Sequence, residues 1–128
     1  MIYLDSSALV KLVGFESESS ALERHLSGSG RWASCALAHV EVIRAARKRD
    51  AESVARARLL LERIDLIAVD EPVLTAAADL ADERLGSLDA VHVAAALSLD
   101  DDLAELITYD RRMVSAAEGL GLPVISPG

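Results

Sequence analysis

The chain has 128 residues, a formal net charge of −8 at pH 7 and a hydrophobic content of 52%. This length is typical of one domain, and the hydrophobic content excludes intrinsic disorder. The single cysteine, Cys35, excludes a disulfide framework and a cysteine-rich zinc module. No apolar run approaches the roughly 20 residues of a membrane span, and Asp5 interrupts the N-terminus before a signal peptide can form. We therefore expect one cytoplasmic domain over residues 1–128.

The composition also bears on nucleic-acid binding. Aromatic residues make up only 3% of the chain, which is too few for a surface that stacks RNA bases. The negative net charge disfavours simple electrostatic attraction of nucleic acid. Charge is nevertheless segregated, because residues 44–63 hold seven basic and three acidic side chains and carry a net charge of +4. An RNA-facing basic surface and a pair of solvated helices both account for this segment.

Short apolar clusters alternate with helical patterns along the chain. The apolar clusters predict strands at residues 2–4, 32–34, 66–69, 105–109 and 124–125. The helical patterns predict helices at residues 6–13, 18–26, 34–46, 52–63, 70–86, 87–99 and 110–119. This alternation is typical of a three-layer α/β/α fold, in which helices cover both faces of a central, mostly parallel sheet of four to five short strands.

Cap signals predict where two of these helices begin. Ser34 is predicted to cap the third helix, with Leu37, Val40 and Ile43 as its buried positions at helical spacing. Asp70 is predicted to cap the fifth helix, which then ends at Gly86. The helices therefore follow their strands closely, as short connections in an α/β fold require.

Four acidic residues occupy positions that suggest a common site. Asp5 follows the first predicted strand and Asp110 follows the fourth, and ligands bind at the carboxyl ends of strands in such sheets. Glu41 borders the buried face of its helix, and Asp89 shares the apolar face of its helix with His92. Taken singly, each carboxylate is also explained as a helix cap, a partner of the helix dipole or a solvated residue.

The four carboxylates together point to a cation. Like charges gathered at one sheet edge repel one another, so folding would not assemble them without a compensating positive charge. Oxygen ligands suit Mg²⁺ or Mn²⁺ rather than zinc. His92 stands three residues after Asp89, but no other histidine or cysteine is placed to complete a zinc site, which favours a buried supporting role. Cys35 is expected to be a small core residue.

Several segments of the chain match motifs of a known family. Residues 2–12 (IYLDSSALVKL), 87–96 (SLDAVHVAAA) and 108–113 (TYDRRM) resemble the first, central and last motifs of the PIN-domain nucleases. Residues 121–124 (GLPV) are similar to the usual end of that domain, and Glu41 falls where the family carries a helical glutamate. The likeness covers essentially the whole chain, whose size is similar to that of the VapC-type toxins of bacterial toxin–antitoxin pairs.

This resemblance implies a PIN-like fold and a site built from Asp5, Glu41, Asp89 and Asp110. It also implies an endoribonuclease that depends on Mg²⁺ or Mn²⁺ and leaves a 5′-phosphate and a 3′-hydroxyl. Asp5 and Asp89 are the expected direct metal ligands. Asp110 and Glu41 are expected to bind the metal directly, to act through water or to orient the attacking water.

The resemblance further suggests supporting residues and partners. Ser6 and Thr108 are candidate hydroxyls behind the carboxylates, although a helix cap and a strand residue explain them equally well. RNA is the expected substrate, and the family likeness suggests a homodimer and a cognate antitoxin protein.

Other functions remain open from the sequence. A haloacid-dehalogenase-like phosphatase needs a second aspartate where Ser7 stands, and a receiver domain needs a lysine near its last strand, whereas the only lysines are Lys11 and Lys48. A ribonuclease that uses paired histidines is disfavoured, because the three histidines show no pairing pattern. A catalytically inactive interaction module on the same fold is the main alternative, since a fold does not determine its function.

Overall fold

Five short parallel strands form one sheet in the structure, a computed structural model that describes residues 1–128. In space the strands follow the order β3-β2-β1-β4-β5, so β1 lies at the centre. All four neighbouring pairs are parallel, with Leu4 of β1 opposite Ile107 of β4. The strands are β1 (Ile2–Leu4), β2 (Trp32–Cys35), β3 (Asp65–Ile67), β4 (Glu105–Ile107) and β5 (Val124–Ile125).

Helices cover both faces of the sheet. One face carries α1 (Ser6–Val13), α2 (Ser19–Leu26), α3 (Leu37–Arg47) and α4 (Ala51–Arg63). The other carries α5 (Glu71–Ala78), α6 (Ser87–Leu97) and α7 (Arg111–Gly119), and a 3₁₀ turn spans Asp100–Asp102. The predicted three-layer α/β/α fold is confirmed.

The alternation of side chains along the strands produces two separate cores. Ile2 and Leu4 of β1 pack with α1 to α4, whereas Tyr3 between them packs with α5 to α7. On β4, Leu106 packs in the core with α5 to α7, and Ile107 packs in the core with α1 to α4. Successive strand residues point to opposite faces, so even a three-residue strand contributes to both layers. None of the helices is both long and apolar enough to cross a membrane.

The start of α3 differs from the prediction. Ser34 does not cap the helix, because it lies within β2 opposite Leu66 of β3, and the helix begins at Leu37. The buried face of α3 is also rotated from the predicted one, so that Val40 is 55% exposed while Val42 is fully buried. Strand pairing extends β2 beyond the point that local cap preference indicates, and this shifts the helix that follows.

The fifth helix is shorter than predicted. Asp70 caps α5 as expected, its carboxylate accepting a hydrogen bond from the Val73 backbone N–H at 3.1 Å. The helix ends at Ala78, however, and not at Gly86. The side chain of Asp82 accepts a hydrogen bond from the Arg84 backbone N–H at 3.1 Å, which is a local turn that competes with helix.

Candidate active site

Asp5 lies at the carboxyl end of the central strand and caps α1. Its Oδ1 accepts hydrogen bonds from the Ala8 backbone N–H at 3.0 Å and from the Ser7 hydroxyl at 2.7 Å. Its Oδ2 accepts one from the Thr108 hydroxyl at 2.6 Å. Burial raises the pKa of this carboxyl above its ordinary value, and the three hydrogen bonds oppose that rise. Asp5, and neither Ser6 nor Ser7, therefore provides the cap, and its orientation is tightly held.

Thr108 connects two of the acidic residues. Its hydroxyl donates to Asp5 and accepts a hydrogen bond from the Asp110 backbone N–H at 3.1 Å. Asp110 in turn caps α7, with Oδ1 accepting from the backbone N–H groups of Arg112 at 2.9 Å and Met113 at 3.3 Å. The ends of β1 and β4 are thus joined by one buried hydroxyl.

Glu41 reaches the same region from α3 on the side of the sheet that carries α1. Its Oε1 accepts a hydrogen bond from the Ser6 hydroxyl at 2.7 Å and lies 2.8 Å from Nε2 of His92. Burial acts to raise the pKa of Glu41, but the hydrogen bonds from His92 and Ser6 outweigh it, and the pKa lies below its ordinary value. The carboxylate is therefore ionised and held in place by two donors.

His92 is a buried connector and not an isolated ligand. Its Nδ1 lies 2.8 Å from the Tyr3 hydroxyl and 3.6 Å from Sγ of Cys35, while its Nε2 faces Glu41. Burial disfavours the imidazolium, but the contacts with Cys35 and Glu41 outweigh this and raise the pKa of His92 to about 10. Because protein groups occupy both ring nitrogens, the ring is not placed to bind zinc.

Asp89 differs from the other three carboxylates. Burial is the main cause that raises its pKa, and the negative charges of Asp110, Asp5 and Glu41 raise it further. No hydrogen bond to protein contributes to this shift. The other three carboxylates thus act on Asp89 at one edge of the sheet, the charge of His92 opposes them, and no protein hydrogen bond holds the Asp89 carboxylate.

The four residues fit a hard divalent cation in their chemistry. All their donors are carboxylate oxygens, the type that Mg²⁺ and Mn²⁺ prefer. A cation would also relieve the repulsion that Asp89 experiences. As the side chains stand, no three acidic, histidine or cysteine groups lie close enough together to hold a metal ion. Asp5 and Glu41 instead direct their oxygens at protein hydroxyls.

The basic segment of residues 44–63 lies on the last turn of α3 and on α4. Part of its charge is used within the protein, since Arg56 donates to the Val13 carbonyl at 2.9 Å and to the Ser53 hydroxyl at 3.1 Å. The guanidinium of Arg49 lies against Gly14, where a β-carbon would come within 2.7 Å of it. The proposal that this segment faces RNA stays a prediction, and one of its arginines, Arg56, holds protein groups instead.

Two residues that no sequence motif singled out complete the site. Ser7 donates to Asp5 and accepts a hydrogen bond from the Tyr109 backbone N–H at 2.9 Å, which ties α1 to the end of β4. Tyr3 supports His92 from within the sheet. The signal for Ser7 was its position two residues after a capping aspartate, where a hydroxyl can reach the carboxylate. No comparable signal existed for Tyr3.

The sequence profile of the PIN domain matches residues 2–119, a range that includes all four carboxylates. The chain belongs to the PIN domain family. The match begins in β1 and ends with α7, so all three layers and four of the five strands of this PIN domain lie within it.

Two ribonucleases are similar to this chain over nearly the whole of both proteins. Ribonuclease VapC46 of Mycobacterium tuberculosis is 46% identical over 126 residues, which cover 98% of this chain and 97% of the relative. Ribonuclease VapC35 of the same organism is 41% identical over 132 residues, which cover 100% of this chain and 98% of the relative. The chain therefore belongs with the VapC members of the PIN domain family.

Solved structures show the same fold at lower identity. The crystal structure of Mycobacterium tuberculosis VapC20, a toxin that cleaves the sarcin–ricin loop, has a TM-score of 0.77 at 15% identity, over 99% of this chain and 100% of the other. A toxin–antitoxin complex from Klebsiella pneumoniae has a TM-score of 0.74 at 21% identity, over 100% and 98%. The fold of this chain is therefore shared by proteins whose sequences are only 15–21% identical to it.

Proposed function

We propose that this PIN domain is an endoribonuclease that hydrolyses RNA phosphodiester bonds with Mg²⁺ or Mn²⁺, and that it is the toxin of a VapBC-type toxin–antitoxin pair. The observation that carries the proposal is the set of four carboxylates that four different elements bring to one sheet edge. The negative charges of the other three carboxylates raise the pKa of Asp89. The names of the VapC ribonucleases that match along the whole chain support the same activity.

In this proposal the four carboxylates have different tasks. Asp5 and Asp89 would bind the cation, and Asp110 and Glu41 would bind it directly, act through water or orient the attacking water. A divalent cation bound there would lower the pKa of a water molecule and would offset negative charge on the phosphate. The chain supplies the orientation, because Thr108 fixes the Asp5 carboxylate and Ser6 fixes that of Glu41, at 2.6 and 2.7 Å.

The proposal includes products and partners. Cleavage leaves a 5′-phosphate and a 3′-hydroxyl on an RNA substrate. A cognate antitoxin binds the chain, which is one domain over residues 1–128, works as a homodimer and resides in the cytoplasm. Solved structures with the same fold include VapBC2 of Rickettsia felis and the Klebsiella pneumoniae complex, both toxin–antitoxin assemblies.

Cleavage of a defined RNA by the purified chain tests the function. We expect products with Mg²⁺ or Mn²⁺, none in excess EDTA, and a loss of more than about 100-fold in rate for Asp5→Asn and Asp89→Asn. That loss exceeds the 10- to 100-fold typical of residues that only support a metal ligand. Asp101→Asn is the matched control, because Asp101 is exposed on the 3₁₀ turn before β4. Undiminished cleavage in EDTA, or by both site variants, contradicts the proposal.

A further inference from the structure

A cleft lined by arginines lies next to the carboxylates, at the start of α7. It has a volume of about 490 Å³, and it is lined by Arg84, Arg111, Arg112 and Ser115. None of these four residues is hydrophobic. We call these four residues the arginine cleft. Arg111 and Arg112 directly follow Asp110, and Asp110 has the largest effect on the pKa of Asp89 among the neighbouring charges.

The charges of the cleft are only partly balanced within the protein. Arg84 is paired with Asp82, at 3.2 Å between Nε and Oδ1, and its Nη2 lies 3.5 Å from the Ser115 hydroxyl. Arg111 and Arg112 take part in none of the ion pairs of the structure. Both guanidinium groups are exposed, in a chain of net charge −8. Their positive charge is therefore available to an anion from outside.

We propose that the arginine cleft binds a backbone phosphate of the RNA strand, adjacent to the phosphodiester that is cleaved at the carboxylates. This inference rests on the proposed function. The planar guanidinium donates two parallel hydrogen bonds to a phosphate, which makes arginine a preferred phosphate ligand. Phosphate contacts of this kind position a strand without reading its sequence. The cleft thus holds the strand in register with the acidic edge, in a protein whose overall charge repels RNA.

Binding of a labelled single-stranded RNA tests the inference in full-length protein carrying Asp89→Asn, which prevents turnover and leaves the cleft intact. Fluorescence anisotropy with Mg²⁺, over a range of salt concentrations, compares Arg111→Gln with Arg112→Gln and with the double variant. We expect the double variant to bind about 4- to 25-fold more weakly at low salt, given about two- to fivefold for each exposed ionic contact. The negative slope of log affinity against log salt concentration becomes shallower by about 0.7 for each lost contact.

Two controls keep this result specific. Arg24→Gln removes an exposed arginine from the end of α2, at the opposite edge of the sheet, where the neighbouring His25 contacts Glu105 at the start of β4. The Arg111→Lys and Arg112→Lys variants keep the charge and lose the planar fork, so they retain the salt slope. Double-variant binding indistinguishable from that of Arg24→Gln overturns the inference. Equal competition by polyglutamate also overturns it, because the cleft would then accept an acidic protein segment.

Different outcomes contradict the proposed function and the proposed phosphate site in the arginine cleft. If wild-type protein cleaves no RNA, or cleaves it in EDTA, the activity itself is contradicted. If wild-type protein cleaves RNA with Mg²⁺ but the cleft variants bind and cleave like Arg24→Gln, only the cleft is contradicted.

Discussion

Nε2 of His92 lies 2.8 Å from Oε1 of Glu41, although the two residues are 51 positions apart. The contact crosses the sheet edge, because Glu41 belongs to α3 on one face and His92 to α6 on the other. Tyr3 completes the connection from β1, with its hydroxyl 2.8 Å from Nδ1 of His92. One carboxylate of the candidate site is thus anchored to the buried core through an imidazole.

This pair predicts a pH dependence of stability. Because the pKa of His92 is raised to about 10 from an ordinary value of about 6.5, its contribution is full below pH 6.5 and is lost as pH rises through 10. Glu41 has a lowered pKa, so its contribution is full above its ordinary pKa of about 4.3 and is lost as pH falls through the lowered value. Urea unfolding should therefore show the largest stability loss for His92→Gln between about pH 4.5 and 6.5, shrinking towards pH 10.

The control for this prediction is His39→Gln, on the exposed side of the same helix as Glu41. It should change stability little at any pH. An effect of His92→Gln that is the same from pH 5 to pH 10 would show that the imidazole contributes by packing alone.

Asp5→Asn should be less stable than the wild-type protein, whereas Asp89→Asn should not, and both variants should lose cleavage. An asparagine at position 5 still caps α1 through Oδ1, which accepts from Ala8 and Ser7, but its amide nitrogen then faces Thr108 and cannot accept that hydroxyl's hydrogen bond. We expect a loss of about 1–3 kcal/mol in the free energy of unfolding, reduced by removal of the buried charge. Asp89→Asn removes a repelled carboxylate without a hydrogen-bond partner, so metal-free stability should stay equal or rise. Thermal unfolding with and without Mn²⁺ measures both effects.

A large loss of metal-free stability in Asp89→Asn, together with normal cleavage, would assign Asp89 a structural role. Addition of Mn²⁺ should raise the melting temperature of the wild-type protein more than that of either variant, because ligand binding to the folded state stabilises it.

Thr108→Val should destabilise the protein and disturb two carboxylates together. The substitution keeps the shape and removes the hydroxyl that donates to Asp5 and accepts from the Asp110 backbone N–H. Because Thr108 is fully buried, the unpaired partners should reduce the free energy of unfolding by about 1–3 kcal/mol. Denaturant unfolding checks the value, and Thr108→Ser should restore most of it. Equal stability of the valine and serine variants would mean that the hydroxyl contributes nothing.

Ser34→Ala should leave the protein as stable or make it more stable. Ser34 is fully buried in β2, and its hydroxyl makes no hydrogen bond. Removing an unpaired buried hydroxyl should stabilise the fold by up to about 1 kcal/mol. Ser53→Ala is the matched control: Ser53 is equally buried, but its hydroxyl accepts from Arg56 at 3.1 Å, so its removal should destabilise the protein. A destabilised Ser34→Ala variant would indicate a partner for the hydroxyl, such as a buried water.

The positions of Asp5 and Asp110 could be read from the sequence because each directly follows an apolar cluster. In a parallel sheet such residues meet at one edge, which requires only the correct order of strands and helices. The alternating pattern supplied that order, and the predicted cap at Asp70 was confirmed because cap geometry is local. The three-layer fold was predicted on the same grounds.

Other features depended on contacts between distant residues. Ser34 has a local preference to cap a helix, yet pairing with β1 and β3 keeps β2 extended through Cys35, and only then can α3 begin. The rotation of α3 that exposes Val40 and directs Glu41 to His92 follows from packing against the sheet and α1.

The sequence by itself thus determined the three layers and the position of Asp5 and Asp110 at one edge of the sheet, and it predicted which acidic residues form the candidate site. Only the tertiary structure decided how these residues are held: Asp5 by Thr108, Glu41 by His92 and Ser6, and Asp89 by no donor. The physical reason is range. Strand and helix periodicity and capping act over a few residues, whereas a hydrogen bond between buried side chains exists only when packing brings distant segments together within about 3 Å.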